Sequence, residues 1–218
     1  MGSDDLFKKK KAARAANQLE RKRKNKEFKA KILIVCEGEK TEPLYFEELR
    51  KRYRINTADI EIVHPKGSDP MSVFEKAELC SKLSKKQGYP YDRVFCVFDK
   101  DSHKNLSQAL HKMRSNGYED ILSVPCFEYW FILHFCYTCS PFSPSGSKSA
   151  ADNVIIALKK HLPDYEKKDK SVFGKLEPRL PTAIENARRA NQFAESHGTD
   201  NPSTKVVDLV EFLINLNN

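Results

Sequence analysis

Ile32-Leu33-Ile34-Val35-Cys36 is an uninterrupted apolar run, the mark of a strand buried on both faces. Pro43 then opens a helical stretch in which Phe46, Leu49 and Tyr53 share one face. Ile60, Ile62 and Val63 predict a second strand, closed by His64-Pro65-Lys66-Gly67. Residues 71–86 predict a helix with Val73, Ala77 and Cys80 on one side, and Gly88 and Pro90 end it. Val94 to Phe98 is a third buried strand, residues 105–116 a further helix stopped by Gly117, and Ile121 to Val124 a short fourth strand.

The order β-α-β-α-β-α-β, with crossovers long enough for helices, predicts an α/β fold: a mostly parallel sheet of about four strands flanked by helices. The rest of the chain reads differently. Residues 127–136 predict a buried helix, 140–149 a loop, and the pattern from 150 onward is helical. Val206, Leu209, Val210 and Leu213 form the clearest apolar stripe, with Asn201 expected as its cap and Pro202 in its first turn. Three parts are expected: a basic arm over 1–30, an α/β domain over 31–140 and a helical C-terminal elaboration over 141–218. No internal repeat is visible.

Charge separates the arm from the body. Residues 1–31 hold 12 Lys/Arg and 4 Asp/Glu, a net +8. The whole chain is also +8, so residues 32–218 balance at 26 of each sign. Basic blocks of this kind bind nucleic acid backbones through counterion release, although a solubilising tail has the same composition. No apolar stretch approaches the ~20 residues that cross a bilayer, and no apolar segment follows the basic start. A cytoplasmic protein without a membrane partner is expected, its six cysteines free thiols. His134-x-Cys136-x-x-Cys139, with Cys126 nearby, has zinc-like spacing, but it overlaps the end of an apolar segment and no second Cys pair follows.

Acidic residues collect where the strands end. Glu37 follows the first strand, Asp99 and Asp101 follow the third, and Glu128 lies beyond the fourth. Ligands of open parallel sheets bind beyond these carboxyl ends. If the first and third strands are neighbours, the acids converge on one rim, where their repulsion calls for a cation. Hard oxygen donors point to Mg²⁺ or Mn²⁺, which can bind a phosphate oxygen and activate water against a phosphodiester. Taken singly, each of these acids fits a structural role; the combination, each after an apolar run, carries the reading.

The segment Ile32 to Pro43 (ILIVCEGEKTEP) resembles the opening motif of RloB-like proteins. Val97-Phe98-Asp99-Lys100-Asp101-Ser102-His103 resembles their segment of a DxD pair followed by a His, Pro125 to Phe135 their third motif, and Asn201-Pro202-Ser203-Thr204 their C-terminal one. The resemblance spans about residues 31–212 and departs from the family at Val124, where an Asn is usual. It implies a Toprim-like domain with Glu37 as the motif glutamate, Asp99 and Asp101 as a metal-binding pair, and Glu42 and Glu128 as auxiliary acids, Glu42 toward the metal and Glu128 toward catalysis. It also implies a place in anti-phage defence, often beside an ATPase partner.

His103 is a candidate general acid or phosphate ligand, and equally a histidine of a surface loop. Lys40, His64, Lys66 and Lys100 are candidate substrate contacts, and Ser68 shares their rim. The combined expectation is an Mg²⁺-dependent nuclease acting on DNA or RNA, tRNA included. Two rivals stay open: a nucleic-acid-binding or sensing subunit without hydrolysis, and a scaffold for an ATPase partner. Oligomeric state is left open, a homo-oligomer included.

Overall fold

The computed structural model describes residues 29–100 and 105–216. Asp101, His103 and the basic arm up to residue 28 lie outside the described residues. Residues 31–140 and 141–218 lie within one compact unit, Lys31–Asn218.

Five strands form one sheet: β1 (Ala30–Cys36), β2 (Ala58–Val63), β3 (Arg93–Asp99), β4 (Glu119–Val124) and β5 (Ser203–Thr204). Their order is β2-β1-β3-β4-β5. β1 pairs parallel with β3, Cys36 opposite Val97, and β3 pairs parallel with β4, Val97 opposite Ile121. β5 closes the edge antiparallel to β4. The apolar runs earn their central positions: Ile32 to Cys36 are fully buried, and Val94 to Phe98 nearly so.

Alternation of side chains divides the core into two layers. Leu33 and Val35 of β1, with Val94, Cys96 and Phe98 of β3, pack against Val73, Phe74 and Ala77 of α2 (Pro70–Lys86) and Ala109 and Met113 of α3 (Leu106–Ser115). On the opposite face Phe95 meets Phe212 of α8 (Val206–Asn215), ring centroids 5.1 Å apart. Helix α1 (Thr41–Arg52) leads from β1 outward to β2, whereas α2 leads back across β1 to β3. With right-handed crossovers, that reversal puts α1 and α2 on opposite faces and opens a crevice between the carboxyl ends of β1 and β3.

The helices begin where local chemistry allows. Asp69 caps α2, its carboxylate accepting from Met71 N at 3.0 Å and Ser72 N at 3.1 Å, with Pro70 in the first turn. α1 starts two residues before the expected Pro43, because Thr41 and Glu42 are buried in its first turn. β4 starts two residues earlier than Ile121: Arg93 pairs with Glu119, and Arg114 and Lys205 hold Asp120 at 3.0 and 2.5 Å, so polar residues extend the strand.

Two expectations are corrected. The buried helix expected over 127–136 is the short α4 (Glu128–Ile132), followed by turns through Phe135. Asn186 of α7 (Leu180–Ser196) donates to the Leu133 carbonyl at 2.8 Å, satisfying a backbone acceptor that a longer helix would have used. Asn201 does not cap α8. Its side-chain amide is bound to the backbone of Phe142, accepting from N at 3.1 Å and donating to O at 2.7 Å. The chain then forms β5, and Thr204 Oγ1 accepts from Val206 N at 3.2 Å as the helix begins. Between α4 and α7 lie α5 (Ala150–Lys159), capped by Ser149, and the one-turn α6 (Val172–Leu176). No described helix is long and apolar enough to cross a membrane.

Candidate functional site

Parallel pairing brings the ends of β1 and β3 side by side. Glu37, one residue past β1, donates its backbone N–H to the Val97 carbonyl at 2.8 Å, continuing the ladder. Its carboxylate bends across and accepts the backbone N–H of Asp99 at 3.0 Å, 62 residues away in sequence. Glu37 and Asp99 line an open cleft of about 280 Å³ together with Gly38, Lys40, Glu42, Ser68, Phe127, Glu128 and Lys167, among others.

The turn after β1 is built around Glu42. This side chain is 6% exposed, and Gly38 N donates to its Oε1 at 3.2 Å. A Cβ on residue 38 would stand 2.5 Å from Glu42 Oε2, so glycine is what lets the carboxylate fold back onto the turn. Burial lifts the Glu42 carboxyl above the ordinary carboxylate range. Its own N–H and that of Gly38 pull it down, while the negative charges of Glu128 and Glu37 push it further up.

Glu128 begins α4 and is 2% exposed. Tyr165 Oη donates to its Oε1 at 3.0 Å, and the Lys167 ammonium lies 3.5 Å from the same oxygen. Both partners come from the loop between α5 and α6, and Thr41 Oγ1 reaches back to the Lys167 carbonyl at 3.4 Å. Burial works against the Lys167 charge, but Glu128, with Cys126 and Asp99 behind it, outweighs that and holds the ammonium above the usual lysine range. Burial pushes the Cys126 thiol up, and Glu128 and Asp99 add to the push.

The expected site residues divide accordingly. Glu37, Asp99, Glu42, Glu128 and Lys40 share the cleft, as does Ser68. His64 and Lys66 are exposed and do not line it; His64 Nδ1 lies 3.0 Å from the Pro65 carbonyl oxygen. Lys100 is turned to Asp200, with which it forms an ion pair. Asp101 and His103 fall in the segment outside the described residues. Among the described residues, no group of three or more His, Cys, Asp or Glu is placed to hold a metal ion. His134 sits in the core, 1% exposed, its Nδ1 3.0 Å from the Trp130 carbonyl, and burial lowers it to about 4.

Sequence reasoning missed Tyr165 and Lys167. They lie 37 and 39 residues beyond Glu128, in a polar loop with no periodicity. The one signal was a lone aromatic in the charged run Asp164-Tyr165-Glu166-Lys167.

Compared with known families, residues 32–213 match the model described as RloB-like protein. No curated protein and no solved structure gives a match.

Proposed function

This chain belongs to the RloB-like protein family, and on that premise we propose that it is a divalent-metal-dependent nuclease of the Toprim-like kind, hydrolysing phosphodiester bonds of nucleic acid. The observation that carries the reading is the Glu37–Asp99 pair at the reversal point of the sheet, where open parallel sheets bind their ligands.

What supports a hard cation is donor chemistry at the rim and not a ready-made cage, since no three described acids are placed to hold one ion. Glu37 and Asp99 are hard oxygen donors side by side, and the buried Glu42 and Glu128 line the same cleft. Glu37 and Asp99 are the residues that would hold Mg²⁺ or Mn²⁺, joined by Asp101 as the next acid of the segment. Such a cation, when bound, polarises a phosphoryl oxygen and lowers the pKa of water. The chain's own residues supply the rest. Asp99 N–H fixes the rotamer of Glu37, Glu42 holds the turn that carries Glu37, and Tyr165 and Lys167 hold Glu128 at the opposite wall. Lys40 and Ser68 border the path open to a phosphate backbone. The arm, +8 over residues 1–31, adds phosphate contacts that do not depend on base sequence. A role in anti-phage defence beside an ATPase partner belongs to the same proposal and is supported by the resemblance alone.

The test is to incubate the purified chain with tRNA, single-stranded RNA and duplex DNA in Mg²⁺, Mn²⁺ or EDTA and to map the cut ends. Cleavage of one class in the metal-containing reactions and none in EDTA is the expected result. Binding without cleavage in both metals would replace the nuclease with a sensing subunit.

A further inference from the structure

Each acid of the cleft belongs to the α/β core, whereas Lys167 comes from the loop between α5 and α6, far along the chain. Its placement is built from three sides. Thr41, in the first turn of α1, reaches the Lys167 carbonyl at 3.4 Å. Two residues earlier, Tyr165 is 4% exposed and its hydroxyl binds Glu128 Oε1 at 3.0 Å, which anchors the loop to the cleft wall. The ammonium rests at 3.5 Å from that same oxygen, a loose contact, and the Lys167 side chain is 61% exposed while that of Glu128 is 3% exposed. A buried carboxylate thus aims a solvent-reachable cation into the cleft that holds Glu37 and Asp99.

We propose that Lys167 is a further catalytic residue of this cleft, its ammonium held by Glu128 and placed on a non-bridging oxygen of the scissile phosphodiester. The proposal rests on the nuclease reading for its chemistry. In the hydrolysis, a water oxygen forms the new bond to phosphorus, the bond from phosphorus to the leaving sugar oxygen breaks, and the water's protons end on the leaving oxygen and the medium. Negative charge grows on the non-bridging oxygens as the bonds exchange. A fixed cation there stabilises that charge without gaining or losing a proton. Lysine suits the task as a compact point charge on a flexible stem. Glu128 acts as a positioning residue, since it reaches the phosphate through Lys167.

The experiment compares wild type, Lys167→Gln and Lys167→Arg on one substrate class. Cleavage is followed at saturating substrate with Mg²⁺. Binding of the same oligonucleotide is followed across a salt series with Ca²⁺ in place of Mg²⁺. Lys167→Gln is expected to lower kcat by about 10²- to 10³-fold, the loss seen on removing one oxyanion donor. Its log–log salt slope should be shallower by about 0.7–0.9, one phosphate contact. Lys167→Arg should recover the slope and part of the rate, and the melting temperatures of all three should agree. A salt slope equal to wild type in Lys167→Gln overturns the proposal, because a residue that only braces Glu128 would leave it unchanged. If wild type binds but never cleaves, the nuclease reading fails, while the shallower slope still decides for Lys167 as a phosphate contact. If wild type neither binds nor cleaves, both fall.

Discussion

The carboxylate of Glu37 accepts a hydrogen bond from the backbone N–H of Asp99 at 3.0 Å. The donor is main chain, so the bond is independent of what side chain stands at position 99. One acid is thereby oriented by the backbone that carries the other, and the relationship exists only because β1 and β3 are parallel neighbours.

Replacing Gly38 tests how the turn is held. In Gly38→Ala the new methyl meets Glu42 Oε2 at 2.5 Å and drives a buried carboxylate off the Gly38 N–H. The expected destabilisation is about 1–3 kcal/mol in urea unfolding, the usual cost of overpacking. Residues in contact couple, so Gly38→Ala combined with Glu42→Ala should cost less than the two separate losses added together. Additive losses would show that the Glu42 carboxylate does not lie over the turn.

Tyr165→Phe removes one hydroxyl and nothing else. Glu128 loses its donor at 3.0 Å while remaining almost fully buried. A hydrogen bond to a charged group is worth about 1.5–3 kcal/mol, so the variant should unfold at lower denaturant with an unchanged m value. An unshifted midpoint would separate Tyr165 from Glu128.

Asp120 gives a pH dependence of known sign. Burial alone would raise its carboxyl, but Arg114 and Lys205 outweigh burial and hold it below the ordinary 3.8. A folded-state pKa below the unfolded one contributes stability that is complete above the unfolded value and is lost as pH falls through the folded one. Wild type should therefore lose stability below about pH 4, whereas Asp120→Asn should start weaker at pH 7 and show a smaller further loss on acidification. Denaturant midpoints from pH 7 to pH 2 measure it; parallel curves for the two proteins would contradict the assignment.

Truncation should respect the fold. Ala30 begins β1, and Lys31 N donates to Asp92 at 2.7 Å, so the arm is removed cleanly at residue 28. The shortened chain should bind nucleic acid more weakly with a flatter salt dependence, each lost contact removing about 0.7–0.9 from the slope. Its rate at saturating substrate should change little, since binding shared by ground and transition states does not alter kcat. Equal affinity and slope would make the arm a solubilising tail.

What the sequence made legible was local. Ile32 to Cys36 and Val94 to Phe98 announced buried parallel strands because every position faces a packed layer, and the acids that follow them were placed by that alone. The two-residue β5 carries no periodicity, and Asn201 looked like a helix cap because its use, stapling Phe142, lies 59 residues away. The apolar pattern over 127–136 runs past the end of helix α4, since nothing local says that Asn186 takes over the Leu133 carbonyl. The ion pair of Lys100 with Asp200 is likewise a contact between residues far apart in the chain. Tyr165 and Lys167 stayed hidden for the same reason: their meaning is a buried glutamate on another element.

The most direct test of the account is metal-dependent cleavage by Asp99→Ala. The substitution keeps the backbone N–H that orients Glu37, so it removes one carboxylate and leaves its neighbour in place. Asp99→Ala should fold like wild type, bind the nucleic acid, and fail to cut it in Mg²⁺ or Mn²⁺ under conditions where wild type cuts to completion. Cleavage by Asp99→Ala at the wild-type rate would contradict the assignment of the β1–β3 rim as the catalytic site.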